Sequence, residues 1–205
     1  MYFRKFHHFF LPFLCFLFIS SFPVPATAGK PRRVVESSHE KINQLLRKEK
    51  TGKRGGNLED EMKKVINRFL DFNSLGVAAM SSHWERLQPD QKKEFIDLFR
   101  ELIESNYIRR LRGDLDFKVI YGKTVLKGDT ARVPTTVERM RMGRKDETEI
   151  EYLLRRTGGS WLVYDVITNN VSLADNYRRS FGRIMRRDGF DSLLNTMRRR
   201  IEKLR

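Results

Sequence analysis

The chain has one cysteine, Cys15, and it lies inside an apolar run at the amino terminus. With that run removed, neither a disulfide nor a thiol nucleophile is available. Histidine is scarce as well. Beyond residue 28 only His39 and His83 remain, far apart and without a second histidine or carboxylate at metal-ligand spacing, which argues against a metal centre. His39 reads as a solvated surface histidine and His83 as a position on an amphipathic wall. There is no Gly-x-Ser-x-Gly elbow, no phosphate loop, no internal repeat and no low-complexity segment. Acid is also in short supply. Twenty-six Asp and Glu stand against 41 Lys and Arg, a formal charge of +15 over 205 residues, which predicts attraction to nucleic acid, anionic lipid or an acidic protein face.

The amino terminus narrows that choice. Arg4 and Lys5 precede an apolar run from Phe9 to Phe22, and Ala26-Thr27-Ala28 places small residues where a signal peptidase needs them. The run is short for a bilayer span. Residues 1–28 are therefore expected to be a cleaved signal peptide and 29–205 a single domain. Loss of Arg4 and Lys5 takes the charge from +15 to +13. An exported basic domain is poorly placed to meet nucleic acid.

What the sequence does hold is amphipathic patterning. Trp161, Val163 and Ile167 alternate with Leu162, Tyr164 and Val166, predicting a strand apolar on both faces and hence one in mid-sheet with a layer on each side. Upstream, residues 29–33 read as a loose basic leader. Val34 to Glu49 forms a helix with a thin stripe of Val35, Ser38, Ile42, Leu45 and Leu46, and Thr51 to Gly56 forms a loop. A second helix follows the acidic turn Glu59-Asp60-Glu61 and carries Met62, Val65, Ile66, Phe69 and Leu70 on one face. Asp71 to Leu87 reads as a short helical pair whose Gly76, Ala78 and Ala79 allow a close crossing. Pro89 opens the widest stripe, Phe95, Leu98, Phe99, Leu102, Ile103 and Leu111, a lid for one face of the sheet.

After Gly113 come strands at Leu115 to Tyr121, at Ala131 to Met142 and around Ile150, Tyr152 and Leu154. With the stretch from Trp161 they make a four-stranded antiparallel meander. Met140 and Met142 break the parity of Val133, Thr135 and Val137, which predicts a bulge near Glu138. Pro134 predicts an edge or a bend, and Gly143 to Asp146 a hairpin turn. Two helices parted by Asp188-Gly189 end the chain. From Arg178 onward nine arginines and one lysine face Asp188, Asp191 and Glu202, a net +7.

Asp165, on the most apolar strand, is the one carboxylate that needs an explanation. It reads either as a catalytic acid in an apolar pocket or as a strand-end acid bonded to backbone groups or an arginine.

Several short motifs resemble a known family. Tyr164-Asp165-Val166, Val171-Ser172-Leu173, Asn176-Tyr177-Arg178 with Phe181, and Arg187-Asp188-Gly189-Phe190-Asp191 with Leu194 are similar to the closing signature of the toluene-tolerance or MlaC-type periplasmic phospholipid carriers. His83-Trp84, Pro89, Gln91, Phe95, Leu98-Phe99 and Leu102 resemble the family's middle helices, and Gly128-Asp129 with Ala131 and Val133 its strands. The likeness covers about residues 34–205. Asn170 stands where a glycine is usual, and asparagine tolerates a positive φ, so the turn is expected to be kept.

The resemblance implies an α+β fold in which N-terminal helices, a four-stranded, mainly antiparallel curved sheet and two C-terminal helices enclose an apolar cavity. It implies phospholipid as cargo, no cofactor, and a periplasmic shuttle. Its partners would be an inner-membrane ABC transporter complex with an MCE-type lipid-binding subunit and an outer-membrane lipoprotein complex. Phe117, Val119, Val133, Val137, Ile150, Tyr152, Trp161, Val163 and Val166 are the expected cavity wall. Arg198, Arg199 and Arg200 are the expected contact to a partner or a headgroup. The rivals are an enzyme using Asp165 and a basic interaction module with a solid core, since the same wall residues would fill an ordinary interior. Protein recovered after export should begin at Gly29, which intact mass measurement checks; retention of residues 1–28 would refute the cleavage site.

Overall fold

Proline suits the first helical position, where an amide donor has no partner to lose. Pro31 accordingly opens the first helix of the computed structural model, which describes residues 30–50, 58–112, 117–141 and 143–204. Residues 31–33 are thus helical, not a loose leader. The expected signal segment 1–28, the loop Thr51 to Gly56, Gly113, Leu115 and Met142 lie outside the described residues, as does the side chain of Leu111. Five helices are described: α1 (Pro31–Lys50), α2 (Leu58–Phe69), α3 (Phe72–Met80), α4 (Pro89–Arg112) and α5 (Leu173–Glu202). A 3-10 turn, Ser81–Arg86, links α3 to α4. The predicted C-terminal pair runs as one element, α5, kinked at the predicted break, where Gly189 is non-helical (φ 79°, ψ −175°). The helical run resumes directly after that residue.

The sheet has six strands among the described residues, not four. They are β1 (Phe117–Tyr121), β2 (Val125–Lys127), β3 (Thr130–Arg141), β4 (Arg144–Thr157), β5 (Ser160–Thr168) and β6 (Val171–Ser172). Their order is β1-β3-β4-β5-β6, with β2 also on β3 and every pairing antiparallel. β2 and β6 are too short to leave a periodic signature in sequence. Pro134 lies on β3 where its neighbour passes from β1 to β2, and its carbonyl accepts from the Gly122 amide at 2.8 Å. A strand residue aims its amide and carbonyl to the same side, so the missing donor faces this break.

The predicted bulge near Glu138 is absent, because β3 and β4 pair without a slip from Thr130–Arg155 to Arg141–Arg144. Arg144 to Asp146 are strand residues, not turn. Met140 breaks the apolar parity simply because it points to solvent, 71% exposed. The bulge is on β5, where Leu153 faces Asp165 while Leu154 faces Val163, leaving Tyr164 as the extra residue. That one insertion brings Trp161, Val163 and Val166 to the same face of the sheet. It overturns the alternation that grouped Ile167 with Trp161 and Val166 with Leu162.

β5 is also not covered on both sides. One face of the sheet carries ion pairs across its strands, Arg132–Glu151 at 3.4 Å and Lys145 with Glu138 and Glu147 at 2.6 Å each. Such a face stays wet. The half-buried Tyr164 on it is covered by the Arg155 guanidinium, 4.7 Å from the ring centre, so a long side chain substitutes for a second layer. Helices α1, α2, α3 and α5 pack on the other face. Beyond β5 the chain is closed by Leu70, which forms a parallel bridge to Val163, and by the Asp71 amide, 2.8 Å from the Val163 carbonyl.

Helix α4 packs mainly on α2, α3 and α5 and has few direct contacts with the sheet it was expected to cover. Its aromatic side chains find their match on α5. Phe99 lies 4.9 Å from Tyr177 and 5.6 Å from Phe181, both edge-on, and Phe95 stacks on Phe99 at 5.5 Å. Aromatic pairs add to plain burial in such geometries. At the α3–α4 crossing a Cβ on Gly76 would meet Ile96 Cδ1 at 2.2 Å, so a larger residue there would force the Ile96 side chain to move. Ala79 is buried nearby, whereas Ala78 is exposed and takes no part. Phe99 is fully buried. Phe99→Ala should cost about 3–5 kcal/mol, read as a lower denaturation midpoint, and a loss under 1 kcal/mol would mean that the cluster does not hold α4 to α5.

Candidate functional site

The dry face of the sheet divides into two halves along its strands. Toward the β2 end, Val133, Leu154, Trp161 and Val163 are buried by side chains from the helices and form a packed core. Toward the other end the helices stand off and leave a cavity of about 660 Å³. That is within the range of roughly 300–1,000 Å³ usual for sites that bury a small ligand. Of the nine expected wall residues, Phe117, Val119, Val137, Ile150, Tyr152 and Val166 line this space, and Val133, Trp161 and Val163 lie in the packed half beyond it. Opposite them stand Ile42 of α1, Ile66 and Phe69 of α2, and Ile103 and Tyr107 of α4.

A polar cluster lies where the two halves meet. His39, on α1, reaches across the sheet, with Nδ1 2.8 Å from the Tyr121 hydroxyl and Nε2 2.9 Å from the Tyr152 hydroxyl. His39 and Tyr152 both line the cavity. His39 is therefore not the solvated histidine its sequence context suggests, since its two nitrogens join β1 and β4 to α1. Burial lowers its pKa to about 4. Burial also pushes Tyr121 up to about 12 and Tyr152 well above the ordinary phenol value. All three groups are thus neutral at pH 7, and a neutral imidazole donates from one nitrogen and accepts at the other.

The rim is basic. Arg109 and Arg110, exposed in the last turns of α4, and Arg139 of β3 line the cavity together with Thr148, Thr168, Asn43 and Asn176. Arg139 donates from Nη2 to the Thr148 hydroxyl at 3.4 Å. Arg198, Arg199 and Arg200 are exposed on α5 and are not among the lining residues; Arg198 pairs with Glu94 of α4. Sequence reasoning missed the rim because its arginines are spread over two elements. It missed His39 because nothing in the local pattern ties it to tyrosines 82 and 113 residues away.

Asp165, 8% exposed, is bonded to its surroundings by structural contacts. It accepts from the Val166 amide at 2.8 Å, the Ala174 amide at 3.0 Å and the Ser172 hydroxyl at 2.6 Å. Ser172 in turn caps α5 by accepting from the Asp175 amide at 3.0 Å. Asn169 and Asn170 of the preceding turn hold φ of 46° and 63°, so asparagine does keep the turn. These bonds account for the Tyr-Asp-Val and Val-Ser-Leu motifs as one corner of the fold. Among the described residues no group of three His, Cys, Asp or Glu could hold a metal ion.

A sheet dry on one face, helices that cover half of it and leave the rest hollow, and a cationic rim define an α+β ligand-binding domain. The sequence profile of the MlaC protein family matches residues 36–199, and the chain belongs to that family. The intermembrane phospholipid transport system binding protein MlaC of Haemophilus influenzae is 21% identical over 131 residues, covering 63% of this chain and 61% of that protein. The phospholipid-binding protein of Ralstonia solanacearum, solved in complex with a phospholipid, superposes with a TM-score of 0.71 at 21% identity, over 86% of this chain and 99% of that one. At such identity the likeness is one of fold.

The lowered His39 pKa carries a pH signature. The unfolded chain binds a proton near pH 6.5 that the folded one refuses until about pH 4, so stability falls as pH drops through that interval. The contribution is about 3 kcal/mol. His39→Gln, which can still bond both tyrosines, should show a shallower loss between pH 6.5 and 4 in denaturant titrations. Parallel curves for the two proteins would refute the assignment.

Proposed function

We propose that this protein is a periplasmic phospholipid carrier that holds acyl chains in the cavity, leaves the headgroup at the rim, and binds its cargo without catalysis. It ferries lipid between the outer membrane and an inner-membrane ABC transporter complex, docking on an MCE-type subunit at one end and an outer-membrane lipoprotein complex at the other. The observation that carries the reading is the hollow itself, apolar on its sheet and helix walls. Two acyl tails hold about 30 methylenes, and at ~0.8 kcal/mol each their exposure to water would cost on the order of 24 kcal/mol. Net binding stays near neutral only if the interior is as dry as the membrane the lipid left. Phe117, Val119, Val137, Ile150, Tyr152 and Val166 serve as wall, with Val133, Trp161 and Val163 as packing behind it. Arg198, Arg199 and Arg200, away from the cavity, are the proposed contact to an acidic partner surface. The family membership and the phospholipid held by the Ralstonia protein agree with this reading.

The test is mass spectrometry of an organic extract of protein purified from the periplasm, which should contain phospholipid close to one molecule per chain. Ile150→Trp, which puts a large ring into the cavity, should lower the lipid-to-protein ratio severalfold while leaving the circular dichroism spectrum unchanged. Lipid-free wild-type protein that also fails to take up lipid from vesicles would leave the solid-core rival standing.

A further inference from the structure

The tails of a phospholipid carry no information about its headgroup, so any selection among lipids must come from what surrounds the cavity mouth. Here the described lining residues include three arginines and no carboxylate. Arg109 and Arg110 occupy the last turns of α4, where the helix dipole favours cations. Both are exposed, and among the described residues neither is ion-paired with an acid. Arg139, on the inner face of β3, is half-buried beside the Thr148 hydroxyl. Asp146 lies cross-strand from Arg139 and is exposed, and it is not among the described lining residues. Asn43, Thr168, Ser172 and Asn176 of the lining are uncharged and cannot neutralise a cation.

We infer that Arg109 and Arg110 make this cavity selective for phospholipids of net negative headgroup over zwitterionic ones. The inference rests on the carrier reading. A glycerol-type phosphodiester offers the rim only its negative phosphate, which guanidinium groups bind with charge-assisted hydrogen bonds. An ethanolamine headgroup brings an ammonium alongside the phosphate. With no acid among the described lining residues to receive that ammonium, it meets like charge, and discrimination arises from the repulsive element as much as from the attractive one.

The experiment incubates lipid-stripped full-length mature protein with vesicles of equimolar phosphatidylglycerol and phosphatidylethanolamine, then re-isolates the protein and quantifies both lipids by mass spectrometry. Wild-type protein should hold phosphatidylglycerol in roughly fivefold excess, as expected for modest electrostatics at a solvated rim. Arg109→Gln/Arg110→Gln should bring the ratio of the two bound lipids back near that of the vesicle, whatever the total it takes up. Arg198→Gln/Arg199→Gln/Arg200→Gln, which removes more charge away from the cavity, should keep the wild-type excess. Inorganic phosphate should not displace the lipid. Uptake by the wild type in vesicle proportion, retention of the excess by the rim variant, loss of it in the α5 variant, or displacement by phosphate would each overturn the assignment while leaving the carrier reading intact. No uptake of either lipid would instead overturn the carrier reading, and this inference with it.

Discussion

The carboxylate of Asp165 organises the corner on which the hollow depends. A buried acid costs several kcal/mol unless its oxygens are satisfied, and here two amides and a hydroxyl satisfy them. Those three donors belong to β5, β6 and the first turn of α5. The bonds therefore fix the point where the chain leaves the sheet and the direction in which α5 sets out. Because the β5 bulge lies one residue earlier, the same corner determines that Val166 faces inward and lines the space that Val171 to Leu173 also border. A charge that sequence alone could read as a reactive group is a joint.

The inner face of the sheet is continuous, yet it performs two tasks. Around Leu154, Val163 and Trp161 it is buried in the hydrophobic core that stabilises the fold. Past Tyr152 the helices stand away from it. The His39 cluster sits at this boundary and needs both tyrosine hydroxyls to be tolerated there, since an unpaired imidazole in such surroundings would be destabilising. The aromatic cluster of Phe95, Phe99, Tyr177 and Phe181 holds α4 to α5 from outside. The helices thus have a firm mutual contact that does not use the space beneath them.

Much of this was legible in the residues. The stripe of α2, the aromatic face of α4, the meander after Gly113 and the polar, turn-forming Asn169-Asn170 each declared themselves by period or by turn chemistry. What was not legible depended on contacts distant in sequence. A bulge on β5 is invisible where both parities are apolar, so Val166 was grouped with the wrong neighbours. His39 looks solvated beside Ser37, Ser38 and Glu40, and only the fold brings Tyr121 and Tyr152 to it. The six wall residues and the three core residues are alike aliphatic or aromatic, and nothing in such a side chain tells whether the helix opposite touches it. The Gly189 break was visible as a glycine, but whether it parts two helices or bends one is decided by what the flanking turns pack against.

The two flanks of the sheet bear on how the protein behaves among many copies of itself. On one side the outermost strand is interrupted at residues 122–124, opposite the amide-less Pro134. On the other, β5 is occupied by Leu70 and by the two residues of β6. Among the described residues neither margin presents a long uninterrupted row of unpaired amides and carbonyls, the template on which foreign strands add. An exposed strand edge is where sheets polymerise, and this sheet has had its growing ends blunted.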